Sequence, residues 1–206
     1  MDKSLEKHFQ DNLLLYSKET SEDGRHKIEN ELWKNYGAER VVFVLDMSGF
    51  SLLTRKYGII HYLSLVRRMQ LTAEPILETY GGNLVKFEAD NCFATFPDTL
   101  SAIHASIAMH LAFNASNLLT TDEFDIRVSI GIDQGKILLI GNEDCFGDAV
   151  NRACKLGEDI AGAGEILVTQ DAMKTVTGEL DFELKPVNVS ISGLTIPTFS
   201  VEYKKE

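Results

Sequence analysis

Two aspartates carry the first hint of chemistry in this chain. Asp46 closes the run Val41-Val42-Phe43-Val44-Leu45-Asp46, and Met47-Ser48-Gly49-Phe50-Ser51 follows it. Five apolar residues rich in Val predict a buried strand that delivers one carboxylate into a tight polar turn. A carboxylate at a strand end, beside backbone amides such as those of Gly49, Phe50 and Ser51, can hold a Mg²⁺ that carries a polyphosphate. Many α/β proteins end a strand on Asp, so this run alone leaves the function open. The segment Gly81-Gly82-Asn83-Leu84-Val85-Lys86-Phe87-Glu88-Ala89-Asp90-Asn91-Cys92-Phe93-Ala94-Thr95-Phe96 reads as a hairpin with Asp90 at its tip. Turn chemistry by itself favours Asp there. Taken together, two Asp residues at the ends of neighbouring strands form a minimal clamp for two metal ions and phosphoryl chemistry.

At these residues the sequence resembles the class III nucleotide cyclase catalytic domain, the adenylyl and guanylyl cyclase family. The resemblance runs from about Ala38 to about Tyr203. In that family the first metal Asp lies in a strand-turn like Leu45-Asp46-Met47-Ser48-Gly49-Phe50-Ser51, and the second follows a Lys by four positions, as Asp90 follows Lys86. A third block, Asp144-Cys145-Phe146-Gly147-Asp148-Ala149-Val150-Asn151, is similar to the family's base-recognition and transition-state segment.

The resemblance implies conversion of a nucleoside triphosphate to its 3′,5′-cyclic monophosphate and pyrophosphate, with two Mg²⁺ or Mn²⁺ ions per site. Asp46 and Asp90 are then the metal ligands, with the Met47 carbonyl as a further oxygen. Gly49, Phe50 and Ser51 bind substrate. Lys86 and Asp144 read the base: a Lys donates to adenine N1 and an Asp accepts from its 6-amine, which selects ATP over GTP. On the residues alone, Lys86 is a solvent-facing strand lysine, in step with Glu88 and opposite Val85 and Phe87. Asn151 orients the ribose. Four residues on, the family usually has Arg, and this chain has Lys155, a point charge in place of a bidentate fork. Arg152 cannot easily take over, being turned about 100° around the helix from Asn151. Two further departures stand out: Ala89 replaces a Gly, and no cation occurs in Ile191-Ser192-Gly193-Leu194-Thr195. These departures keep open an alternative: a catalytically weak or silent cyclase-homology domain that binds nucleotide or a partner. A diguanylate-cyclase-type enzyme would need a Gly-Gly-(Asp/Glu)-Glu-Phe hairpin, which Gly81-Gly82-Asn83-Leu84 does not supply. The family also implies a homodimer, with the metal carboxylates from one subunit facing the other residues from its partner.

Bulk composition agrees with that reading. The chain has 206 residues, enough for one domain with an appendage, and a net charge of −11. Such a charge disfavours a nucleic-acid-binding surface. Cys92, Cys145 and Cys154 show no CxxC pairing, so neither a disulfide framework nor a zinc site is implied, and a reducing cytoplasm fits. No apolar run approaches a membrane span and no signal-peptide pattern opens the chain.

The elements that must position these residues follow from periodicity. Residues 1–37 predict a helix or two outside a main domain of 38–206, with Ile28, Leu32 and Tyr36 at helical spacing. After strand 41–45 a long helix is expected over 52–80, burying Leu63, Val66, Met69, Ala73, Ile76 and Leu77. Strands near 83–88 and 91–96 follow, then a helix over 99–113 with Leu100, Ile103, Ile107 and Leu111 inside. Ile126, Val128, Ile130 and Ile132 alternate with Arg127, Ser129, Gly131 and Asp133, which predicts a half-buried strand. It should turn at Gln134-Gly135 into a second strand, 136–140. A helix over 147–161 buries Ala149, Ala153, Leu156 and Ile160, leaving Asn151 and Lys155 together on another face. A strand at 165–169 and two C-terminal strands near 180–187 and 198–203 complete the chain. The class is α+β, a ferredoxin-like βαββαβ core with a C-terminal extension. His104 and His110 are expected as helix-surface histidines, and Gly81-Gly82 and Gly162-Ala163-Gly164 as turns.

Overall fold

The computed structural model describes residues 3–191 and 193–204. Its centre is β1 (Gly37–Met47), a Val-rich strand that is hydrogen-bonded on both sides. It runs antiparallel to β3 (Asn91–Phe96) and to β4 (Val128–Ile140). β2 (Asn83–Glu88) forms a hairpin with β3. Two helices, α4 (Ile59–Thr79) and α5 (Thr99–Asn117), make the crossovers of a βαββαβ core with strand order β2-β3-β1-β4. Beyond β4 the sheet continues through β6 (Ile166–Thr169), which runs parallel to it, into the hairpin of β8 (Leu194–Glu202) and β7 (Glu183–Ile191). The expected α+β class and C-terminal extension are therefore present.

Alternation along β1 sends its side chains into two cores. Val41, Phe43, Leu45 and Met47 face α4 and α5 with Leu65, Met69, Leu77, Ile103 and Met109. Val42 and Val44 face the other way, toward Ala149, Val150 and Ala153 of α6 (Asp148–Cys154). Asp46 continues this second series, so the strand delivers its carboxylate to the α6 face.

Several expectations need correction. The 52–80 helix is two helices, α3 (Phe50–Tyr57) and α4, because Gly58 between them adopts φ 89°. Leu63 is 51% exposed and Leu111 39% exposed, so neither is core. Gln134-Gly135 makes no turn. β4 runs through it unbroken because β1 extends back to Gly37 and keeps both residues in the ladder, opposite Val41 and Arg40. Nor is this strand half-buried: Ser129, Gly131 and Asp133 are covered by α6 and its continuation. His110 is buried, its Nδ1 2.8 Å from the Tyr203 hydroxyl. His104 pairs with Asp181 at 3.0 Å.

The N-terminal segment forms α1 (Lys3–Lys18) and α2 (Glu22–Tyr36), the latter capped by Ser21. Ile28, Leu32 and Tyr36 are buried as the spacing predicts, and with Phe9 they pack on Leu138 and Ile140 at the end of β4. Phe9 also stacks on Phe146 of β5 (Asp144–Phe146), a short strand that folds back against β4.

The β2–β3 turn is tight, since Glu88 and Asn91 pair across Ala89-Asp90. Ala89 has φ 52°, the one non-glycine residue with positive φ among the described residues. A left-handed L-residue costs about 1 kcal/mol, which glycine avoids. Ala89→Gly should therefore raise the melting temperature by about 2 °C. A lowered melting temperature in calorimetry would show that Ala89 is unstrained.

Candidate active site

Two groups of polar residues assemble on the α6 face of the sheet. The first surrounds the end of β1. Asp46 pairs in register with Asn91, next to Asp90, and with Ser129 of β4. Its carboxyl is pushed up to about 6, first by burial, then by the negative charges of Asp90, Glu158 and Asp159. Tyr62 of α4 lies within interaction range of Asp90, and burial together with that carboxylate raises the Tyr62 pKa. Met47 places its side chain in the main core and its backbone opposite Val128. The Gly49 carbonyl accepts from the Leu53 amide and starts α3. The side chains of Phe50 and Ser51 lie outside the described residues, as does Ser192.

The second group lies at β2 and β5. Lys86 places its ammonium 3.2 Å from Asp144 and 2.7 Å from Glu88, and 5.1 Å above the centre of the Phe93 ring. A bulge between Leu84 and Lys86 produces this aim. It puts Val85 into the α6-side core while Leu84 and Phe87 pack on the opposite side. The expected opposition of Lys86 to Val85 is thereby broken, and Lys86 is three-quarters covered instead of solvent-facing.

Asn151 and Lys155 are both exposed, and the buried stripe of Ala149, Ala153 and Leu156 is as expected. The helix changes character at Lys155, because residues Lys155–Ile160 wind as a π-helix. Lys155 is ion-paired with Asp159 one turn on. Arg152 turns inward to Asp133, which is fully buried and also accepts from the Thr169 hydroxyl, and to Asp148. That pairing anchors α6 on the sheet and removes Arg152 from any phosphate role.

Sequence reasoning missed Tyr62, Glu88, Glu158 and Asp159. Glu88 was visible two residues from Lys86, but the bulge that brings them together is a tertiary outcome. Tyr62 gave no local signal at all. The three cysteines are free, and burial raises their pKa values, to about 11 for Cys145 and about 12 for Cys154, which argues against thiol chemistry.

Among the described residues no set of three or more His, Cys, Asp and Glu side chains forms a ready metal cage. Two carboxylates with unrelieved mutual repulsion still suit a hard cation, since Mg²⁺ binds through one or two carboxylates and completes its shell with water and phosphate oxygens. The raised pKa has a consequence for stability. Folding favours protonated Asp46, so its contribution falls as pH rises from the ordinary carboxylate range through about 6. Asp46→Asn should raise the melting temperature above pH 6 and change it little near pH 4. Mn²⁺ should stabilise the unmodified protein at pH 7.5 and not the variant. Equal stabilisation of both by Mn²⁺ would remove Asp46 from the metal site.

No protein-family model matches this chain, and no curated protein sequence matches it. Solved structures do match its fold. An adenylate/guanylate cyclase/hydrolase from Silicibacter pomeroyi superposes with a TM-score of 0.69 at 23% identity, over 82% of this chain and 98% of that one. The adenylyl cyclase CyaB from P. aeruginosa gives 0.68 at 21% identity, over 82% and 97%. The guanylate cyclase domain of RhGC from Catenaria anguillulae, solved with GTP, gives 0.66 at 18% identity, over 82% and 99%. With most of the chain superposed and the βαββαβ core in place, this protein has the class III adenylyl/guanylyl cyclase catalytic-domain fold.

Proposed function

We propose that this chain is a nucleotide cyclase that converts ATP to 3′,5′-cyclic AMP and pyrophosphate in a homodimer. The observation that carries the proposal is the pairing of two features on one face of the sheet. One is the charge-stressed Asp46–Asp90 pair; the other is the Lys86–Asp144 ion pair, 3.2 Å apart.

In this reading Asp46 and Asp90 hold the metal ions, with the Met47 carbonyl as an added oxygen. The ions, Mg²⁺ or Mn²⁺, supply Lewis-acid activation of the ribose 3′-hydroxyl and charge neutralisation at the triphosphate. Tyr62 fixes the Asp90 carboxylate. The amides of Gly49, Phe50 and Ser51 face the phosphates. Lys86 and Asp144 offer a donor and an acceptor that match adenine N1 and its 6-amine, and a half-buried polar pair left unmatched would penalise the wrong base. Asn151 orients the ribose. The 3′-oxygen bonds to the α-phosphorus as the bond to pyrophosphate breaks, and the hydroxyl proton passes to water. Lys155 carries the positive charge nearest this event, once released from Asp159. Three free cysteines suit a reducing cytoplasm, and no described helix is long and apolar enough to cross a membrane.

One observation favours a second reading, a weak or silent domain that binds nucleotide as a regulatory module. Lys155 is already neutralised by Asp159, and it stands where a bidentate Arg would serve better.

The homodimer reading places Asp46 and Asp90 of one subunit opposite Lys86, Asp144, Asn151 and Lys155 of its partner. Isologous symmetry then makes two sites per dimer. Asp46→Ala and Asn151→Ala chains, each inactive alone, should regain activity when mixed, because one site of the mixed dimer collects both lesions and the other none. Specific activity should fall on dilution. Exchange of chains without recovery would contradict a shared site.

A further inference from the structure

Glu88 approaches Lys86 more closely than Asp144 does, at 2.7 Å against 3.2 Å, and the ammonium contacts both carboxylates. Glu88 and Asp144 are therefore separated by no more than the sum of these distances, which is the scale of one purine edge. Phe93, directly opposite Lys86 in the β2–β3 ladder, supports the ammonium from below. Lys86 and Glu88 point to the same side, with Phe87 between them packed into the opposite core. One donor, Lys86, is thus in contact with two acceptors, Asp144 and Glu88.

A purine edge can meet that set of groups in two registers. Adenine presents an amine donor and then a ring-nitrogen acceptor, which pair with Asp144 and Lys86. Guanine presents a carbonyl acceptor at position 6, followed by the N1–H and the 2-amine as donors. Shifted by one partner, the guanine carbonyl accepts from Lys86, and the two donors meet the two oxygens of the Glu88 carboxylate. A site with Asp144 and Lys86 alone would leave both guanine donors unpaired, at a cost that normally excludes the base. With Glu88 in place they are satisfied by a charged acceptor, the stronger kind of hydrogen bond.

We infer that Glu88 is a specificity-determining residue that lets this site accept guanine as well as adenine nucleotides. The inference rests on the proposed nucleotide-cyclase reading and widens its substrate from ATP to both purine triphosphates. Glu88 is 64% exposed at the end of β2, so its substitution leaves the cores untouched.

The test uses the full chain with Mn²⁺, measuring kcat/KM and calorimetric Kd for ATP, GTP and inosine triphosphate in the unmodified protein and in Glu88→Gln. The unmodified protein should handle GTP within about tenfold of ATP, and the variant should lose about tenfold or more for GTP while ATP changes by less than about twofold. Inosine triphosphate lacks the 2-amine, so it should lie below GTP in the unmodified protein and level with it in the variant. If turnover is too slow to measure, the Kd ratios carry the same expectation. An unchanged GTP-to-ATP ratio in Glu88→Gln, with ATP handling intact, overturns the role of Glu88 and leaves the cyclase reading standing. Binding of no nucleotide by the unmodified protein overturns both.

Discussion

The candidate site depends on a place where helix and sheet backbones touch. A side chain at Gly131 of β4 would put its Cβ 2.2 Å from the Ala153 carbonyl and 2.4 Å from the Gly157 nitrogen. One at Gly157 would meet the Val44 carbonyl at 2.8 Å. Only glycine at both positions lets α6 and its π-helical continuation lie this low on β4 and β1. Val44 stands two residues before Asp46 on the same face. The contact therefore brings Glu158 and Asp159 near enough to Asp46 for their charges to act on it, with Lys155 one turn back and Asn151 two. The π-helix belongs to the same arrangement, since it begins at Lys155 where the crossing occurs, and such irregular turns are common at functional sites.

Electrostatics then define what this surface lacks. The chain carries a net charge of −11, and the Asp46 end of the sheet concentrates part of it. Three cations on this face are committed to partners within the chain: Lys86 to Glu88 and Asp144, Lys155 to Asp159, Arg152 to Asp133 and Asp148. In the proposed reading, a triphosphate arriving at the Asp46 end without metal would meet repulsion. The commitments also differ in kind. Arg152 and buried Asp133 form a structural anchor, and breaking such a pair leaves an uncompensated buried charge. Lys155 and Asp159 form an exposed pair of small net strength, which releases readily.

Much of this was legible in the chain. The Val-rich run ending at Asp46, the hairpin with Asp90, and the buried stripe of α6 follow from local periodicity and turn chemistry. What local pattern could not supply was tertiary. The bulge at Leu84–Lys86 rotates Lys86 toward Asp144, and a period-two reading places it on the wrong side. Gln134-Gly135 reads as a turn until β1 is known to extend back to Gly37 and hold both residues in the ladder. Alternation along β4 suggested one wet face because the helix that dries it lies about twenty residues downstream. Tyr62 reaches Asp90 across the whole α4–β2 connection, which no spacing rule encodes.

The central claim is that this face of the sheet cyclises a nucleoside triphosphate. Its most direct measurement is product identification: purified protein incubated with ATP and Mn²⁺, the products separated by chromatography, beside Asp90→Ala as control. The account predicts 3′,5′-cyclic AMP and pyrophosphate in equal amounts from the unmodified chain and neither from the variant. Unconsumed ATP, or a product other than the cyclic nucleotide, would contradict it.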